Sequence, residues 1–149
     1  MSAETHAGDD LAARFLDAQN RCYPEVLSEL RAGQKRTHWM WFIFPQIAGL
    51  GHSDMARHYA LADLEEARSY FAHPVLGARL RECTEAVLLH APSGVAPRPL
   101  SVLFGYPDDL KFHSSMTLFH RALPDEDIFT RVLHAFWNGA EDAGTISKL

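Results

Sequence analysis

The chain has 149 residues, 47% of them hydrophobic and 22% charged, with a net charge of −5 when its nine histidines are neutral. A chain of this length buries roughly two-thirds of the surface it exposes when unfolded, so one domain with a real core is expected and wholesale disorder is excluded. An acidic balance without a basic stripe argues against nucleic acid and anionic membranes as partners.

The N-terminus, Met1 to His6, has no charged-then-apolar leader. The longest apolar run, Trp39 to Phe44, is ended by Pro45 and is too short to cross a bilayer. A cytoplasmic location is the expectation. Cys22 and Cys83 lie far apart in helix-like, apolar surroundings, and no CxxC occurs, so two reduced, buried thiols are expected.

In chain order, residues 1–8 are expected as a flexible tail, followed by a single domain over 9–149. Asp9 or Asp10 caps a first helix carrying Leu11, Phe15 and Ala18. Pro24 breaks the pattern, and Val26, Leu27 and Leu30 continue as a second helix stopped by Gly33. His38 to Gln46 is rich in aromatic and β-branched residues, which also suit a strand. No second strand run offers a partner, so a buried helix is expected there. Ser53 caps a helix over Met55 to Ala62, and Asp63 with Glu66 has capping-box spacing for the next, through Phe71.

Pro74 fits the first turn of a longer helix with Leu76, Leu80, Cys83 and Val87 along one stripe. Residues 91–99, with Pro92, Pro97 and Pro99, read as an exposed loop, followed by a helical turn through Phe104 that Gly105 stops. Asp108 or Asp109 caps a helix with Phe112, Met116, Phe119 and Leu123. Pro124-Asp125 opens a last long helix bearing Ile128, Val132, Leu133, Phe136 and Trp137, Gly139 stops it, and Asp142 caps a final turn. The fold class is all-α: a single compact irregular bundle of about seven to eight helices.

Three blocks carry a family resemblance. They are His38 to Gln46 with Gly49, Gly51 and Ser53; His73 to Gly77 with Arg79 and Leu80; and Lys111 with Ser114 to Phe119. With Arg14-Phe15, Ala18-Gln19 and Phe104-Gly105, the chain resembles the bacterial domain-of-unknown-function family 1810, some of whose members carry the label calpastatin. The likeness covers nearly the whole chain. It implies an all-helical fold, the His38 to Gln46 block included, and implies no activity, cofactor or catalytic residue.

The residues themselves offer three candidate constellations. His38, Phe42 and Gln46 are spaced i, i+4, i+8 and share a face if the helix persists to Pro45, with Trp39 or Trp41 as a stacking surface. The plainer alternative is that the imidazole and amide satisfy one another or the backbone inside the core. Gly49, Gly51, His52 and Ser53 combine close backbone approach with a helix start that attracts anions. No strand precedes them, so this is not a dinucleotide fingerprint, and a turn plus a cap explains them as well. Lys111, Ser114 and Ser115 have i+3 and i+4 spacing, which suits a Ser–Lys nucleophile only if the lysine is buried. Serines bonded to preceding carbonyls, or easing helix packing, are the alternative. The histidines show no HExxH and no Cys/His ligand cluster, so no metal site is expected.

These residues favour a small-molecule-binding domain, for an anionic or nucleotide-like ligand, with an enzymatic role and any cofactor left open. The pocket is expected where the His38–Ser53 block meets Lys111–Ser115. Lys111 would supply charge, His38 and His52 hydrogen bonds or proton transfer, and Gln46 and Ser115 orientation. The alternative is a non-catalytic protein-interaction or regulatory module, marked by an exposed apolar patch such as one around Trp137.

Overall fold

The computed structural model describes residues 3–149, with side chains from Asp10 onward. The tail expected over residues 1–8 lies in part outside the described residues, and the backbone from Ala3 is helical. Ten helices follow one another among the described residues. They are α1 (Ala3–Gln19), α2 (Tyr23–Ala32), α3 (Met40–Ile43), α4 (Asp54–His58), α5 (Leu64–Ala72), α6 (Pro74–Leu88), α7 (Leu100–Leu103), α8 (Asp108–Ala122), α9 (Asp127–Trp137) and α10 (Ala143–Ile146). The excess over seven to eight comes from one-turn helices. None of the ten is long and apolar enough to cross a membrane.

Local signals set most of the boundaries. Gly33 ends α2 at φ 75°, a left-handed conformation that glycine adopts without a Cβ clash. Asp63 accepts from Glu66 N at 2.8 Å while Glu66 reaches back to Ala62 N at 3.0 Å, a reciprocal cap one residue wider than the usual box. His73 Nδ1 caps α6 by accepting from Val75 N and Leu76 N, both at 3.2 Å. The expected stripe Leu76, Leu80, Cys83 and Val87 is buried. Asp142 caps α10 as expected, accepting from Thr145 N at 3.0 Å.

The central helix is α8. Phe112 and the whole run Ser114 to Phe119 are buried on it, and α5, α7, α9 and α10 all pack against it. The His38 to Gln46 block does not play that role. Its helix, α3, lasts four residues, because Phe44 precedes Pro45 and takes an extended-side conformation (φ −123°, ψ 77°). Upstream, Glu29 holds the approach open by accepting from Arg36 N, Thr37 N, Thr37 Oγ1 and Trp39 Nε1 at 2.7–3.0 Å. Burial of that carboxyl raises its pKa, and the four donors outweigh this and hold it below the usual carboxylate value.

Other boundaries move for physical reasons. α4 stops at His58, since Leu61 is drawn into an isolated parallel bridge with Ile47. Leu61 N donates to Gln46 O at 2.9 Å and Ala48 N to Leu61 O at 2.8 Å, which fixes the loop after α3. Pro107 flanks α8 in place of an aspartate cap, and Asp108 in the first turn is used by two lysines. α9 begins at Asp127, two residues beyond Asp125. Both cysteines are free; Cys83 is buried and Cys22 half-buried. Burial pushes the Cys83 thiol up to about 12, and burial with Glu25 and Glu29 raises Cys22, so neither is a ready thiolate.

Candidate functional site

An aromatic cluster joins the elements that carry the site. Phe44 from the end of α3 meets Phe112 of α8 edge-on at 4.9 Å between centroids, and Phe104 lies 4.9 Å from Phe112. All three are buried, so the backbone of α3 and the first turns of α8 are held at a fixed separation. The loop from Pro45 to Ser53 closes one side, and α10 closes the other.

Between them is a cleft of about 450 Å³. Trp41, Gln46, Gly51, His52 and Ser53 line it from the α3 side, and Lys111 and Ser114 from α8. Leu50, Ala56, Pro107 and Leu110 supply apolar wall, and Asp142 and Gly144 complete the rim. The volume falls within the range of small-molecule pockets. Segments far apart in sequence thus place seven of the ten expected candidates around one space.

The remaining three are elsewhere. Gly49 lines an adjoining hollow of about 270 Å³, which shares Gln46, Gly51 and Ala56 with the cleft. Its φ of 96° requires glycine, and the Lys148 side chain runs alongside. His38 is exposed and lines neither space, since α3 is too short to carry it onto the Gln46 face. Ser115 is fully buried on the core side of α8, and its hydroxyl has no hydrogen-bond partner. Its small side chain serves helix packing and cannot orient a ligand in the cleft.

The polar groups of the cleft divide into held and free. Lys111 Nζ is 3.4 Å from Asp108 Oδ1 and 4.9 Å from the centroid of the Trp41 ring, which lies beneath it. Asp108 Oδ2 is also 2.8 Å from Lys35 Nζ, whose side chain is only 7% exposed. One carboxylate therefore fastens the Lys35 loop to α8 and steadies Lys111. Such an ion-paired ammonium is not the buried free amine that a Ser–Lys nucleophile needs. Ser114 Oγ lies 3.1 Å from Asp142 Oδ2 and 3.2 Å from Leu110 O, either of which accepts its single proton. By contrast, Trp41 Nε1, the Gln46 amide and the His52 ring have no side-chain hydrogen bond among the described residues.

Asp142 also lines the cleft, although its sequence context shows only a cap. Its Oδ2 accepts from Thr145 N at 3.0 Å, Thr145 Oγ1 at 2.7 Å and Ser114 Oγ. Its own N–H donates to Thr117 Oγ1 at 2.9 Å. The sequence signal was there in part, since Asp142 and Thr145 have N-cap spacing. The partnership with Ser114 and Thr117 is a tertiary fact. Among the described residues no group of three or more His, Cys, Asp or Glu side chains is placed to hold a metal ion.

A solved structure shares this architecture. The crystal structure of the conserved hypothetical protein Rv1873 from Mycobacterium tuberculosis matches at TM-score 0.86 and 48% identity, covering 94% of this chain and 96% of that one. Comparison with curated proteins gives no match. Residues 9–149 match the family described as protein of unknown function DUF1810, so nearly the whole chain is family sequence and it belongs to that family.

Proposed function

We propose that the chain is a small-molecule-binding domain whose ligand occupies the cleft between the loop after α3 and α8. The observation that carries this reading is the convergence of Trp41, Gln46, His52, Lys111, Ser114 and Asp142 around one 450 Å³ space. Rigid supports fix the anchoring groups, and several donors and acceptors are left free for a guest. Lys111 suits an acceptor or anionic group, and Asp142 suits a hydrogen-bond donor. A nucleotide-like compound, with a planar ring, ring or exocyclic N–H groups and a phosphate, meets that description.

The test is thermal melting of the protein against a panel of nucleotides and related metabolites, repeated on Lys111→Ala. A ligand at 100 times its Kd adds about 2.7 kcal/mol of stability. The reading expects at least one such compound, with its effect much reduced in the variant. If no compound acts on the wild type, the binding reading fails.

A second reading, a non-catalytic interaction module, draws on the exposed apolar side chains Val102, Tyr106 and Leu110, which are 52%, 83% and 53% exposed. The patch anticipated around Trp137 does not carry it, because that ring is half-buried and stacked on His113 at 4.0 Å. Concentration-dependent self-association with no ligand response would favour this second reading.

A further inference from the structure

A second hollow, of about 530 Å³, lies between the proline-rich segment after α6 and the last turn of α9. Pro97 and Pro99 form part of its wall, and Phe136 and Trp137, both half-buried, form another. Arg98 and the buried His90 also line it. It shares no lining residue with the Lys111 cleft.

The polar groups here are unevenly partnered. His90 is 2% exposed, with Nδ1 2.8 Å from Ala96 O and Nε2 2.7 Å from Leu30 O. Both partners are acceptors. The ring is thereby held between two backbone carbonyls. Arg98 sits directly beside it. A methyl group on Gly33 would lie 2.8 Å from Arg98 Nε and 3.0 Å from His90 Cε1. Among the described residues the Arg98 side chain enters no salt bridge and no hydrogen bond. The one carboxylate lining the hollow, Asp109, spends an oxygen on Leu110 N at 3.0 Å. A guanidinium without a partner, flanked by prolines and aromatic rings, calls for an anion with a flat apolar body.

We infer that this hollow binds an aromatic carboxylate, with the Arg98 guanidinium gripping the carboxylate and the ring lying between the prolines and Phe136 and Trp137. A planar guanidinium matches a carboxylate through two parallel N–H···O bonds. A monoanion suits the site better than a dianion, because Asp109 repels the second charge. His90 positions the loop: its two contacts tie Ala96 to Leu30 at the end of α2 and so fix where Arg98 points.

Benzoate and its neutral isostere benzamide are the probes, titrated into the whole protein while the three indole N–H resonances are followed. Trp137 is assigned with Trp137→Phe. Benzoate is expected to move the Trp137 resonance and to bind at least tenfold tighter than benzamide. Arg98→Gln should weaken it tenfold or more, and Lys111→Ala should leave it unchanged. No response at Trp137, equal binding of benzamide, full binding by Arg98→Gln, or loss in Lys111→Ala would each overturn the assignment. The last outcome would place benzoate in the other cleft, so the two sites fail separately.

Discussion

Ser114 and Asp142, 28 residues apart, are joined at the edge of the cleft by a hydroxyl–carboxylate contact of 3.1 Å. This contact fastens α10 to the central helix and presents Asp142 at the rim. Ser114→Ala removes one of three donors to Oδ2 and leaves the two from Thr145, so it should cost only about 1 kcal/mol. Ligand affinity should fall more than stability does, because the carboxylate is less well oriented. Parallel melting and titration of the variant check this; equal losses in both would assign the contact to folding alone.

Asp108 and Lys111 should behave differently despite their contact. Asp108→Asn leaves the Lys35 ammonium, 7% exposed, without its charge partner, and should destabilise the fold by about 3 kcal/mol. Lys111 is more exposed, at 27%, and Lys111→Ala should cost less than about 1 kcal/mol. Urea unfolding of the two variants measures the difference. A large loss in Lys111→Ala would show that the lysine is structural.

Glu29 gives the fold an acid-sensitive joint. Its pKa is depressed in the folded state, so the unfolded chain binds the proton more readily. The stabilisation is therefore present above the unfolded carboxylate value, about 4.3, and is lost as pH falls through the lower folded value. Melting temperature against pH should drop more steeply below pH 5 for the wild type than for Glu29→Gln. Parallel curves would contradict this account.

Gly77 is required by close approach. A Cβ there would collide with the carbonyl oxygen of Phe71, a backbone atom that cannot swing aside. Gly77→Ala must push α6 away from the end of α5, at a cost of about 2–3 kcal/mol. A melting midpoint equal to the wild type would show that the corner relaxes freely.

Much of the fold is readable from local chemistry. Ser53, the Asp63–Glu66 pair, Pro74 and Asp142 act on their own neighbours, so spacing alone exposes their roles. His38 and Gln46 show where such reading stops. Their shared face depended on a helix reaching Pro45, and the chain instead leaves the helix at Phe44, while Glu29, nine residues before His38, shapes the approach. The candidate site was legible as residue types, because tryptophan, lysine, glutamine and glycine in dense blocks suggest a pocket. Ser115 cannot be told from Ser114 by spacing, because adjacent helical residues diverge by about 100° and only packing decides which serine faces the cleft. Asp142 and Asp108 show only as caps in the sequence, because their second partners, Ser114 and Lys35, are distant in it.

The most direct measurement follows the indole N–H of Trp41, assigned with Trp41→Phe, while the best compound from the nucleotide panel is titrated. Trp39 Nε1 is committed to Glu29 at 3.0 Å, so it serves as an internal reference. The account expects a saturable shift of Trp41, little change at Trp39, and loss of the shift in Lys111→Ala. A compound that binds while Trp41 stays still would contradict the assignment of the cleft.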